Sequence, residues 1–166
     1  MLNNGLNYDS AYWLDLTVRL GLAMLAGALI GINRDFHHRS IGLRTLGLVA
    51  LASCMLVLSV SQYAQQHGNG GYDAVSRVTQ GIVSGIGFLG AGVILRAPDQ
   101  VHVLGITTAA TILVVAALGI ACALAAWPIL LLGFAGTIIL LIACGPLEKA
   151  IQRAIERRDA STGKPL

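Results

Sequence analysis

The sequence predicts an all-α, polytopic membrane protein of about five transmembrane helices, with the N-terminus outside and the C-terminus in the cytoplasm. Three observations carry this expectation. Only 11% of the 166 residues are charged while 55% are hydrophobic, whereas a soluble domain carries about 25% charged residues. Residues 78–95, VTQGIVSGIGFLGAGVIL, form an uncharged run of eighteen that holds five glycines. Residues 103–147 hold no charge over 45 positions. About 20 helical residues cross the hydrocarbon core, so a stretch of that length must fold back on itself.

Each span follows from the same arithmetic. The first is expected at 12–32 and the second at 43–63. The third, 78–95, is glycine-rich. Glycine weakens an exposed helix in water by about 1 kcal/mol relative to alanine, yet in lipid it lets two backbones approach closely. The fourth span is placed at 103–124 and the fifth at 128–145. The reversal between them falls at Trp127-Pro128, since tryptophan favours the interface and proline cannot continue a helical ladder from within. Pro146 lies where the fifth span gives way to a charged tail. The domain reading is therefore a transmembrane domain over 1–147 and a charged cytoplasmic tail over 148–166.

Charge sets the orientation. Arg34, Arg39, Arg44, Arg96 and the tail residues Lys149, Arg153, Arg157, Arg158 and Lys164 are nine of the eleven basic residues, leaving Arg19 and Arg77 for the other face. The positive-inside rule puts that richer side in the cytoplasm. The net charge of +3 is accounted for by this asymmetry, so no nucleic-acid partner is expected. The first eleven residues contain no basic residue, which argues against a cleavable signal peptide. No internal repeat is visible.

The candidate functional residues are few. Asp15/Arg19, Asp35/Arg39 and Asp73/Arg77 each place an acid four residues before a base, a spacing that brings both onto one helix face. Asp15/Arg19 reads either as a neutralised interfacial pair or as part of an ion or proton path, because an unpaired charge within a span costs about 2.5–3.5 kcal/mol on insertion scales. Asp73 is the candidate metal-contacting residue. Thr79, Gln80, Ser84, Thr107, Thr108 and Thr111 cluster in the third and fourth spans, where hydroxyls and amides bond backbone carbonyls or a facing helix. Small-xxx-small steps at Gly27/Gly31 and Gly81/Gly85 mark packing faces. Cys54, Cys122 and Cys144 fall in apolar segments and read as small hydrophobes. His37 and His38 read as a solvated loop. The string from Gly85 to Gly90 matches a dinucleotide fingerprint in letters but lacks the strand and the ribose-binding acid that give it meaning. No nucleophile–base set is present, so no enzymatic activity is expected.

The motifs GALIGINRDF (27–36), IGLRT (41–45), DAVSRVTQGIVSGIGFLGAGVIL (73–95) and LGITTAAT (104–111), in that order, resemble the MgtC/SapB family of bacterial inner-membrane proteins. The resemblance covers about 14–147. It implies a plasma-membrane protein tied to magnesium homeostasis and, in pathogens, to growth under magnesium limitation inside host cells. The family's polar signature falls here on Arg34, Arg44, Thr45, Asp73, Arg77, Gly85, Gly87, Gly90, Gly92, Thr107 and Thr108. Many members carry glutamate where this chain has Asn33, histidine where it has Leu46 and tryptophan where it has Ile112. Many also continue into a cytosolic domain, whose regulation would here be absent or come from another protein.

Two functions of different class follow. One is a non-transporting membrane regulator, a homo-oligomer with a dimer as the first expectation, acting through helix–helix contacts with itself or other membrane proteins. The other is a small channel or carrier for Mg²⁺ or another cation. No cofactor is expected, with Mg²⁺ the one exception the resemblance leaves open. Mg²⁺ dehydrates reluctantly and favours octahedral oxygen ligands, and no carboxylate lies deep in any span, so the regulator is the favoured expectation.

Overall fold

Helix ends leave backbone groups without intrahelical partners, and in lipid each must be satisfied within the protein. The computed structural model, which describes residues 9–36, 41–67, 71–96 and 103–143, shows how this chain satisfies them. Helix α1 runs Ser10–Phe36. Asp9 starts it, its carboxylate accepting from the Ser10 backbone N–H at 2.7 Å and its carbonyl from Tyr12 and Trp13. Helix α2, Leu43–His67, is capped from a distance: Asp35, at the end of α1, accepts the Leu43 N–H at 3.0 Å. A side chain at Gly42 would run into that carboxylate, so glycine there admits the cap.

Helix α3, Gly71–Val93, carries Asp73 in its first turn, where a negative charge favours the helix dipole. A two-residue antiparallel pair follows, β1 (Leu95–Arg96) with β2 (Val103–Leu104), in register Leu95 to Leu104 and Arg96 to Val103. Gly105 then enters α4 with φ +96°, and a Cβ there would lie 2.2 Å from the Val93 carbonyl oxygen. Only glycine meets both demands.

Helix α4, Ile106–Ala123, ends in a Schellman turn with Ala125 at φ 52°. The N–H groups of Leu124, Ala126 and Ala125 take the carbonyls of Ile120, Ala121 and Cys122, and Arg19 Nη1 takes that of Ala123 at 2.8 Å. All four terminal carbonyls of α4 are thereby satisfied. Helix α5, Trp127–Ala143, is apolar and carries Pro128 in its first turn, where a missing N–H costs nothing. The expected break between the two segments is present at 124–126, and α5 starts at Trp127.

Residues 1–130 pack as one unit and residues 131–166 as another. In the first unit α1, α2 and α4 pack against one another, and α3 packs on α2 and α4. The core is formed by Ala23, Ile30, Leu46, Ala50, Cys54, Val57, Ile112, Val115 and Cys122. Backbones touch where glycine allows it. A Cβ on Gly27 would lie 2.4 Å from the Leu46 carbonyl oxygen, one on Gly31 2.4 Å from Leu43 Cα, and one on Gly119 2.2 Å from the Ala50 carbonyl oxygen.

The chain is a membrane protein of helices, of which α1, α2 and α4 are long and apolar enough to cross a bilayer. Several expected boundaries move. Helix α1 continues to Phe36, so Asn33, Arg34 and Asp35 are helical and not loop. Helix α3 begins at Gly71, well before 78, and α4 begins at Ile106 because the β pair takes 103–104. His37, His38, Arg39, Asp99, His102, Cys144 and the 148–166 tail lie outside the described residues.

Candidate functional site

The site is built on two arginines of α1 that grip the two ends of α4. Arg34, in the last turn of α1, is only 3% exposed. Its Nη2 donates to Thr108 Oγ1 at 2.5 Å, its Nη1 to Thr111 Oγ1 at 3.1 Å and its Nε to the Ile41 carbonyl at 3.2 Å. The Thr111 hydroxyl donates in turn to the Thr107 carbonyl at 2.7 Å, so it is used as donor and acceptor together. Thr108 and Thr111 are themselves buried. One guanidinium thus joins the end of α1, the entry to α2 and the first turns of α4, and charge-assisted bonds of this kind are the strong ones.

Arg19 does the same at the far end of α4. Its Nε lies 2.8 Å from Asp15 Oδ2. That N–H is not aligned on an acceptor, so the contact is a Coulombic pair more than a hydrogen bond. Its Nη1 binds the Ala123 carbonyl, placing a cation at a helix C-terminus, where the dipole favours it. Nearby, Cys54 Sγ lies 3.8 Å from the Arg19 carbonyl, and Gln62 donates to the Tyr12 hydroxyl. Because Arg19 meets the end of α4 and Arg34 its beginning, α1 and α4 run antiparallel.

The other expected residues divide. Thr107 contributes only its carbonyl; its side chain, like those of Arg44 and Thr45, is exposed. Asp73 and Arg77 are exposed and, among the described residues, form no ion pair. The i,i+4 spacing is therefore closed at Asp15/Arg19 but not here; Asp35 accepts the Leu43 N–H, and its expected partner Arg39 lies outside the described residues. Gly90 faces Ala109 with a would-be Cβ at 3.4 Å, but Gly81, Gly85, Gly87 and Gly92 have nothing within 4 Å of theirs. Of the glycines in this segment, Gly90 alone has α4 within 4 Å of a would-be Cβ.

Sequence reasoning missed Gly42, Gly105 and Gly119 and the cap from Asp35. Only a residue-level signal could have revealed the cap, an aspartate eight positions before a helix start with glycine between. Leu46 and Ile112 are buried at 0% and 2%, which fits their apolar character in this chain.

The sequence pattern of the MgtC family matches residues 20–150, a stretch that contains Arg34, Thr108 and Thr111 and most of the helical core. The chain belongs to the MgtC family. It is 40% identical over 162 residues to Protein SrpB of Synechococcus elongatus, covering 93% of this chain and 89% of that protein. It is 43% identical over 131 residues to Protein MgtC of Salmonella typhimurium, covering 79% and 52%. It is 41% identical over 110 residues to Protein SapB of Bacillus subtilis, covering 64% and 47%. The chain thus spans about half the length of the MgtC and SapB relatives. No solved structure matches it.

Proposed function

We propose that this MgtC family member is a non-enzymatic, multi-pass protein of the bacterial inner membrane that serves magnesium homeostasis and adaptation to low Mg²⁺ as a regulator, through helix–helix contacts. The observation that carries this reading is Arg34, a cation buried among α1, the α2 entry and α4. A Mg²⁺ ion passing 6 Å from that guanidinium would be repelled by about 5 kcal/mol at an effective dielectric constant of about 20. The buried polar groups of this bundle join helices to one another, which suits a rigid contact surface better than an ion path.

A second reading, a small channel or carrier for Mg²⁺ or another cation, draws support from Asp73. Its carboxylate is exposed in the first turn of α3, at the face assigned to the outside, where a hydrated cation could be captured. Liposomes loaded with a Mg²⁺-sensitive dye separate the two readings. The regulator predicts no flux above protein-free vesicles. A flux that Asp73→Ala reduces would overturn it in favour of the carrier.

A further inference from the structure

Cys54 of α2 and Cys122, in the last turn of α4, are free thiols, and both are 0% exposed. Arg19 stands beside each of them. Its carbonyl lies 3.8 Å from Cys54 Sγ, and its guanidinium holds the carbonyl of Ala123, the residue after Cys122. Helix α1 meets α2 at Gly31 with Leu43 and at Arg19 with Cys54, so these two helices run antiparallel. Since α1 is antiparallel to α4 as well, α2 and α4 run parallel. Their backbones touch at Gly119, where a Cβ would lie 3.1 Å from Ala50 Cα. Cys54 comes four residues after Ala50 and Cys122 three after Gly119, about one turn beyond that contact in the same direction. The Cys54 thiol is within electrostatic range of the Cys122 thiol. A disulfide needs Cα atoms within about 7 Å, a separation that two helices in backbone contact one turn away can supply.

We propose that Cys54 and Cys122 form an oxidative modification site, closed by a peroxide-class oxidant into a disulfide that ties α2 to α4. The sulfur of one thiol attacks a peroxide oxygen, the O–O bond breaks, and a first water leaves with a sulfenic acid behind it. The sulfur of the other thiol then displaces the sulfenic oxygen, which departs as a second water with that thiol's proton. Two thiols lose two electrons and one hydrogen peroxide becomes two waters. The second step joins groups already held side by side, so it gains from proximity and outruns further oxidation of the sulfenic acid. Little is given up, because the thiol is a weak donor and the Arg19 guanidinium keeps its bond to Ala123. The pair sits at the Arg19 end of the bundle, the end that charge assigns to the outside, where the bacterial periplasm is oxidising.

Thiol counting in native membranes tests the site. Membranes holding the full chain with Cys144→Ala are treated with hydrogen peroxide, denatured and labelled with a maleimide. The chain should pass from two labels to none, stay at monomer mass and lose two hydrogens, and dithiothreitol should restore both labels. Peptide mapping of the oxidised, unsubstituted chain should find the same Cys54–Cys122 bridge, so the result does not hang on Cys144→Ala. The oxidised protein should also resist proteolysis in detergent longer than the reduced one, a difference that Cys54→Ser and Cys122→Ser each remove. Cys54→Ala combined with Leu56→Cys moves the α2 thiol to an exposed position, and it should form no reversible bridge to Cys122. Both labels surviving peroxide, or label loss that dithiothreitol does not restore, would overturn the site. So would a bridge between two chains, a bridge to Cys144 in its place, or equal bridging from the Leu56→Cys chain.

Discussion

Arg34 concentrates the physical argument at the scale of single residues. A guanidinium that is 3% exposed must have its N–H groups met by acceptors, because an unmet buried donor costs its full desolvation. Thr108, Thr111 and the Ile41 carbonyl supply them. Thr108→Val keeps the side-chain shape and removes one acceptor. The expected loss is about 1.5–3 kcal/mol, the range for hydrogen bonds to charged groups. Thr107→Val, with its side chain exposed, should change stability by less than about 0.5 kcal/mol. Thermal melts of the detergent-solubilised protein check this, and equal shifts for the two variants would show that the Arg34 contact carries no special weight. The sequence marked Thr108 as a polar residue within an apolar span and Arg34 as a basic residue just beyond the first one. Their meeting was not legible, because they stand 74 positions apart and the pairing depends on how α1 and α4 are rotated.

Between elements, the decisive quantity is the closeness of backbones. Glycines are spread along the chain, and spacing alone marks Gly27/Gly31 and Gly81/Gly85 as equivalent packing steps. They are not equivalent. Gly27 and Gly31 lie against the backbone of α2, whereas Gly81 and Gly85 face open space. A close approach of α2 and α4 is made instead by Gly119, which stands outside both of these steps. Gly119→Ala forces a Cβ to 2.2 Å from the Ala50 carbonyl oxygen, an overpacking that should cost about 1–3 kcal/mol. Gly21→Ala, with nothing within 4 Å, should leave stability unchanged or slightly raised. A proteolysis series in detergent would rank the two, and a Gly119→Ala protein as resistant as Gly21→Ala would refute the contact. Which glycines matter is set by the rotation of each helix about its axis, and a repeat of small residues does not specify that angle.

For the molecule as a whole, charge predicts an orientation that one pair of contacts is compatible with. Nine of eleven basic residues fall on one expected side. Independently, Arg19 meets the end of α4 and Arg34 its beginning, so these two helices run in opposite directions, as alternate crossing requires. Reporter fusions after Arg39 and after Leu166 should therefore report the cytoplasm, and a fusion at 68–70 the outside. Fusions that place Arg39 and Leu166 on opposite faces would break the assignment. The membrane class and the family were determined by the sequence alone, because they depend on composition, segment length and short ordered motifs, all of which are local. Tertiary structure alone decided that α1 binds α4 at both ends, that Asp35 caps α2 and that the glycine face of α3 turns outward. Those outcomes rest on the relative rotation and depth of packed helices, which arise from many weak contacts acting together and leave no mark in any one segment.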